Sequence, residues 1–167
     1  PPQLTDNSHD DVHPKINDSG HVVWQQYPYD SYPSGDPKLY LWDGEQSILL
    51  SAAICYEHMI SDGGHVVWTR AEGYPPYEPY VQHVYLYEGA LPATELVSGL
   101  EENSDAHVNS SGHVVWEGNG GQGIFLYDGA GVTEIWDAYS SLPGVHALYT
   151  LPDWGPKIND IGWIVWD

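Results

Sequence analysis

Ile16-Asn17-Asp18-Ser19-Gly20-His21-Val22-Val23-Trp24 decides how this chain is read, because it comes back three times. The copies are Ile60-Ser61-Asp62-Gly63-Gly64-His65-Val66-Val67-Trp68, Val108-Asn109-Ser110-Ser111-Gly112-His113-Val114-Val115-Trp116 and Ile158-Asn159-Asp160-Ile161-Gly162-Trp163-Ile164-Val165-Trp166. In each, a short polar run ending in glycine separates two apolar pieces rich in β-branched residues. Such a run is a tight turn between two strands, with glycine where the backbone needs a positive φ. Working outward, Leu39-Tyr40-Leu41-Trp42-Asp43-Gly44 matches Val84-Tyr85-Leu86-Tyr87-Glu88-Gly89 and Ile124-Phe125-Leu126-Tyr127-Asp128-Gly129. A third apolar piece follows each, at Ser47 to Leu50, Thr94 to Val97 and Thr133 to Trp136. No stretch holds an apolar 3.6-residue period for three turns, so helices are not expected.

One unit therefore reads strand, turn, strand, loop, strand, Asp-Gly turn, strand. Four strands in roughly 45 residues predict an all-β chain of tandem four-stranded antiparallel blades, a β-propeller-like repeat domain. The expected units cover about 15–51, 59–99 and 107–137, with strands of a split blade at 1–6 and 157–167. That makes about 15 strands. The loop between the second and third strands is rich in Tyr and Pro in the first two units and shrinks to Glu117-Gly118-Asn119-Gly120-Gly121-Gln122 in the third. This glycine run joins two strands with no helix behind it, so it predicts no phosphate cradle.

The repeat resembles the WD40-like repeats of TolB-type β-propellers. Asp11-Val12-His13-Pro14 and Asp153-Trp154-Gly155-Pro156 fill that family's Asp-x-x-Pro slot, Leu4-Thr5 its Leu-Thr slot, and Gly20, Gly64, Gly112 and Gly162 its turn glycine. Two units depart from it, with Cys55-x-x-His58 and Asn103-x-x-Ala106 in that slot. The His-Val-Val-Trp variant is similar to repeats of extracellular bacterial proteins. The resemblance spans almost the whole chain and implies a fold. It implies no catalytic residue, because propellers host many unrelated functions.

Composition narrows the classes. The chain has 167 residues, four Lys plus Arg and 24 Asp plus Glu, for a net charge of −20. A chain so acidic has no cationic face for nucleic-acid phosphates and none for anionic membrane surfaces. At 41% hydrophobic residues with 8 Trp and 13 Tyr, it can build a core. Cys55 is the only cysteine, so no internal disulfide forms. No apolar run reaches the roughly 18 residues of a membrane span. The chain opens Pro1-Pro2 and is read as a mature product or a piece of a longer one.

Candidate sites follow from residue type and place. Asn17 and Asn109 head Asn-x-Ser sequons, which predicts glycosylation on exposed turns. Asp6, Asp10 and Asp11 form an acidic cluster of the kind calcium takes, as do Glu101, Glu102 and Asp105. Asp18, Asp62 and Asp160 are read as turn formers. His21, His65 and His113 recur at one position and are read as products of repeat copying. Cys55 and His58 place a thiol near an imidazole without a third partner, and no catalytic constellation is expected. Trp24, Trp68, Trp116 and Trp166 are expected between blades. Tyr27, Tyr29, Tyr32, Tyr74, Tyr77 and Tyr80 are expected outside the strands, on loops suited to glycan or protein contact.

The two ends carry the functional expectation. Gln3-Leu4-Thr5 reads as a last strand and Lys157 to Trp166 as a first and second strand, so each end holds part of a blade. An unfinished blade leaves strand edges and a sheet face to another copy. The chain is therefore expected to be a secreted or cell-surface structural protein. It would join head to tail through Gln3, Leu4, Thr5, Ile164, Val165 and Trp166. A lectin-like module that reads glycans through the Tyr loops is the competing expectation. Neither expectation involves nucleic acid.

Overall fold

A computed structural model of the chain describes residues 3–28, 36–72, 81–101, 103–118, 120–137 and 155–166. Three four-stranded antiparallel sheets follow one another in chain order. The first holds β1 (Asp10–Ile16), β2 (Val22–Tyr27), β3 (Lys38–Trp42) and β4 (Ser47–Ser51); the second holds β5 (Cys55–Ile60), β6 (Val66–Glu72), β7 (Val81–Tyr87) and β8 (Thr94–Glu101). The third holds β9 (Ser104–Val108), β10 (Val114–Gly118), β11 (Gly123–Tyr127) and β12 (Val132–Asp137). A two-stranded sheet of β13 (Lys157–Ile158) and β14 (Ile164–Val165) ends the series. No helix occurs among the described residues. The chain is all-β, built of repeated antiparallel sheets.

The quoted motif is the hairpin between the first two strands of every sheet. Asn17 N–H donates to the His21 carbonyl at 3.1 Å and Gly20 N–H to the Asn17 carbonyl at 3.0 Å. The same pair of bonds recurs at Ser61, Asn109 and Asn159. The closing glycines have φ of 81°, 81°, 81° and 84°, where a side chain would be strained. The second hairpin of a sheet is held differently. The Asp43 carboxylate accepts N–H bonds from Glu45 and Gln46 at 2.8 Å, and Asp128 does the same for Ala130 and Gly131. These bonds keep both carboxyls below the usual carboxylate range.

Strand alternation then sorts the Val-Val-Trp side chains. Val66 and Trp68 of β6, with Ile60 and Tyr87, pack on Val23, Leu39, Leu41 and Leu50 of the first sheet. Val67, Val84 and Leu86 lie in a second cluster with Val108, Val114, Trp116 and Phe125 of the third sheet. So the first valine and the tryptophan look back to the preceding sheet, and the second valine looks forward. Trp24, Trp68 and Trp116 each stack on the residue opposite in the next strand, Tyr40, Tyr85 and Phe125, with centroids 5.5–5.7 Å apart. Each fully buried Val or Leu in such a seam contributes about 1.5–3 kcal/mol.

Several expectations need correcting. Gln3-Leu4-Thr5 is not a strand. Gln3 Nε2 donates to the Thr5 carbonyl and His9 N–H to Asn7 Oδ1, so this polar segment bonds to its own backbone instead of a ladder. The first strands start earlier than expected, at Asp10, Cys55 and Ser104, because each crosses an irregularity of register that hides its pattern. His13 and Asp105, at φ of 52° and 53°, sit in two of them. Tyr27 ends β2, opposite Asp10, and is not on a loop. Trp166 is 41% exposed, unlike the three buried tryptophans of the other copies.

Candidate functional site

The turn tips of neighbouring sheets are stitched by polar bonds that all run one way. Asn17 is buried; its Oδ1 accepts the His21 N–H inside its own turn, and its Nδ2 donates to the Ser61 carbonyl of the next sheet at 3.0 Å. Asp18 N–H donates to Asp62 Oδ1 at 3.0 Å. Between the third and fourth sheets the pattern repeats. Asn109 Nδ2 donates to the Asn159 carbonyl at 3.1 Å and Ser110 N–H to Asp160 Oδ1 at 2.7 Å. That bond holds the Asp160 carboxyl below its ordinary range. The middle seam has Ser61 and Ser110 in place of Asn and Asp and closes more tightly. A methyl group built on Gly63 would run into the Ser110 carbonyl oxygen. There Asn103 Nδ2 donates to the Gln82 carbonyl at 2.7 Å.

The ends of the series expose what the seams bury. Ile16 is 70% exposed, while its counterparts Ile60, Val108 and Ile158 are 7%, 2% and 4% exposed. Val165 is 64% exposed, while Val23, Val67 and Val115 are fully buried. Ile161 and Trp163 stand out at 79% and 72%. The first sheet thus leaves Ile16 uncovered on its backward side, where Trp24 is nevertheless buried, and the fourth leaves Val165 uncovered on its forward side. Of the expected interface residues, Val165 holds the forward-looking position, while Ile164 and Trp166 hold the positions that look back to the preceding sheet in the other copies. Gln3, Leu4 and Thr5 form no strand to complete the backward side of the first sheet.

Other expected sites resolve differently. The sequon nitrogens of Asn17 and Asn109, which a glycan would need free, are buried in the stitches, so neither is a glycosylation site in this fold. The acidic cluster does not gather around a cation. Asp11 Oδ1 accepts from Trp24 Nε1 at 3.0 Å and from Gln26 Nε2 at 2.9 Å, and Asp6 and Asp10 do not join it. Among the described residues no group of three or more His, Cys, Asp or Glu could hold a metal. Tyr29, Tyr32, Tyr74, Tyr77, Tyr80 and Glu102 lie outside the described residues. Two of the three repeated histidines lie against turn glycines: a Cβ on Gly64 would sit 3.3 Å from His21 Nδ1, and one on Gly112 would sit 3.4 Å from the His65 ring, while nothing lies within 4 Å of one on Gly162.

Cys55 and His58 do not form a pair. The thiol lies 3.6 Å from the Glu57 carbonyl, and burial pushes its pKa up to about 12. A thiol so far from ionisation is a poor nucleophile. Ellman's reagent is expected to leave Cys55 untouched in the native chain and to react fully in denaturant. Fast native labelling would show that the β5 edge opens.

The first strands of all four sheets line one cavity of about 340 Å³. Lys15, Glu57, His58, Asp105, His107 and Lys157 face it. Burial is the dominant influence on several of them: it lowers Lys15, raises Glu57 and pushes His58 and His107 down to about 4. His58 Nε2 carries the proton and donates to the His13 carbonyl at 2.9 Å. Above pH 6.5 both folded and unfolded His58 are neutral. Below it the unfolded chain takes up a proton that the folded chain refuses, so stability falls between pH 6.5 and about 4. For buried His58 the loss is about 3 kcal/mol. Glu57 and Glu117, both raised, oppose this, because the folded state holds their protons more tightly than the unfolded chain does. The guanidinium midpoint is expected to drop between pH 7 and 4.5, and to drop less in His58→Gln. A midpoint that rises on acidification would contradict the burial of His58.

Comparison with protein-family models, curated proteins and solved structures found no match to this chain. The stitches were readable in principle. Asn recurs at the first turn position in three copies and Asp at the second in three, which is more than a turn alone requires.

Proposed function

We propose that this chain is a non-enzymatic structural protein that works outside the cell, stacking head to tail with copies of itself into a fibre or tandem array. One observation carries the proposal: the two uncovered end faces are the two halves of a seam already made inside the chain. Ile16 is uncovered at the position that Ile60, Val108 and Ile158 fill in the seams, and Val165 at the position that Val23, Val67 and Val115 fill. A contact between unlike faces repeats at every copy and extends indefinitely unless its rotation closes a ring. Read as blades of a TolB-type repeat, the four first strands around one cavity would be the inner strands of a propeller arc. The extracellular setting rests on the likeness of the His-Val-Val-Trp units to repeats of extracellular bacterial proteins. The net charge of −20 favours this mode, since like-charged flanks discourage side-by-side clumping while apolar ends still meet.

The test is a dilution series followed by light scattering and negative-stain microscopy. The mean mass is expected to rise with concentration and the particles to be linear or ring-shaped, with one subunit width. A single-copy mass at every concentration would overturn the proposal.

A further inference from the structure

The four turn tips differ from one another in a way that follows the seams. A forward donor requires Asn at the first turn position: Asn17 and Asn109 have it and use it, and Ser61 lacks it. A backward acceptor requires Asp at the second position: Asp62 and Asp160 have it and use it, and Ser110 lacks it. The middle seam, flanked by Ser61 and Ser110, has neither. Two groups are then left over. Among the described residues the Asp18 carboxylate accepts no hydrogen bond and the Asn159 Nδ2 donates none, although the Asn159 Oδ1 is used inside its own turn by the Trp163 N–H at 2.8 Å. They stand at opposite ends of the series.

A second observation runs in the same direction. The His21 ring covers the Gly64 turn and the His65 ring covers the Gly112 turn. Gly20, at the start of the series, has nothing within 4 Å of where its Cβ would be, and neither has Gly162, which His113 does not cover. Trp163, which stands where those histidines stand, covers nothing comparable and is largely exposed. An indole in place of an imidazole offers a larger apolar plate, and an exposed one beside an exposed Ile161 is a contact surface.

We infer that the fourth turn of one copy docks on the first turn of a second copy, with Asn159 Nδ2 donating to the Asn17 carbonyl, the Asp160 N–H donating to the Asp18 carboxylate and the Trp163 indole lying over Gly20. This rests on the head-to-tail reading and names its contact. Its polar bonds use the geometry already present at the first and third seams, and its ring cover that of the first and middle seams. Among the described residues the Asn159 Nδ2, the Asp160 N–H and the Asp18 carboxylate make no other hydrogen bond, and the Asn17 carbonyl, which accepts the Gly20 N–H, takes a second donor as the Ser61 carbonyl does. The terminal turns alone carry both Asn and Asp, so the contact between copies has the full stitch.

Asp18→Ala and Trp163→Ala test it cleanly, because neither side chain makes a hydrogen bond or ring contact within the described chain. Each variant is expected to keep the parent's circular dichroism and to associate roughly tenfold to hundredfold more weakly by sedimentation velocity, the loss of a charge-assisted hydrogen bond or of an aromatic contact. Mixing is the decisive arm. An Asp18→Ala copy keeps an intact fourth turn and a Trp163→Ala copy an intact first turn. At a concentration between the parent and variant dissociation constants, their equimolar mixture is expected to stop at one-to-one dimers. If both variants associate as the parent does, the copies meet elsewhere and the inference fails while head-to-tail stacking stands. If the parent itself stays monomeric, the stacking reading fails and takes this contact with it. Long assemblies from the mixture would place the two residues in no common contact and would also overturn it.

Discussion

Placing aspartate at Ile16 is expected to abolish end-to-end association while leaving the three four-stranded sheets folded. Ile16 is the exposed member of a set whose other three members are buried in seams, so the substitution removes little from the single chain. At the contact between copies it loses the burial of an isoleucine, about 1.5–3 kcal/mol. It also buries a carboxylate with no partner, which costs several kcal/mol more in effective terms. Together these weaken association by about a thousandfold or more. Val165→Asp attacks the opposite face and should do the same. Val132→Asp, at an exposed apolar residue of the outer strand β12 that belongs to neither core cluster, should do nothing. Sedimentation velocity across a dilution series reads the effect, with circular dichroism as the folding check. Undiminished assembly in both Ile16→Asp and Val165→Asp would mean that the end faces are not where copies meet.

Trp116→Ala is expected to be the most damaging single truncation inside the chain. Its side chain is fully buried, stacks on Phe125 and fills the seam against Val67, Val84 and Leu86 of the preceding sheet. Removing an indole from such a site costs about 3–5 kcal/mol, since the neighbours cannot collapse into the space. Against a typical domain stability of about 5–15 kcal/mol, that leaves the third sheet barely folded. The matched truncation Trp166→Ala, at a half-exposed residue beyond β14, should cost less than about 1 kcal/mol. Guanidinium unfolding of the two variants measures the difference. Equal losses would mean that the third sheet does not lean on the second.

The repeat made most of the fold legible. Asn-Asp-x-Gly between apolar pieces specifies a hairpin by local chemistry, and the turn glycines sit at positive φ as that chemistry demands. Alternation in Val-Val-Trp placed the core. What the repeat obscured were features that depend on a neighbour. Leu4-Thr5 matched a strand slot by identity, but Asn7 and Gln3 bond locally and withhold the segment from any ladder. Asn17 and Asn109 looked like exposed sequons because nothing in a linear triplet reveals a carbonyl of the next sheet 3.0–3.1 Å away. The early starts of β1, β5 and β9 were hidden by register shifts that break the two-residue period. Cys55 and His58 sat close in sequence, yet each turns to a different backbone carbonyl. The count of strands rested on Gln3-Leu4-Thr5, which forms none, and the residues left uncovered at the two ends emerge only by comparing equivalent positions for exposure.

Because the amides of Asn17 and Asn109 point one way along the series and the carboxylates of Asp62 and Asp160 point back, any stack of these units has an arrow. Its two tips are chemically unlike: one shows bare Gly20 beside an idle carboxylate, the other an indole beside an idle amide. If copies stack as proposed, growth would proceed at unequal speeds from the two tips, and anchoring one tip would decide which chemistry the other presents.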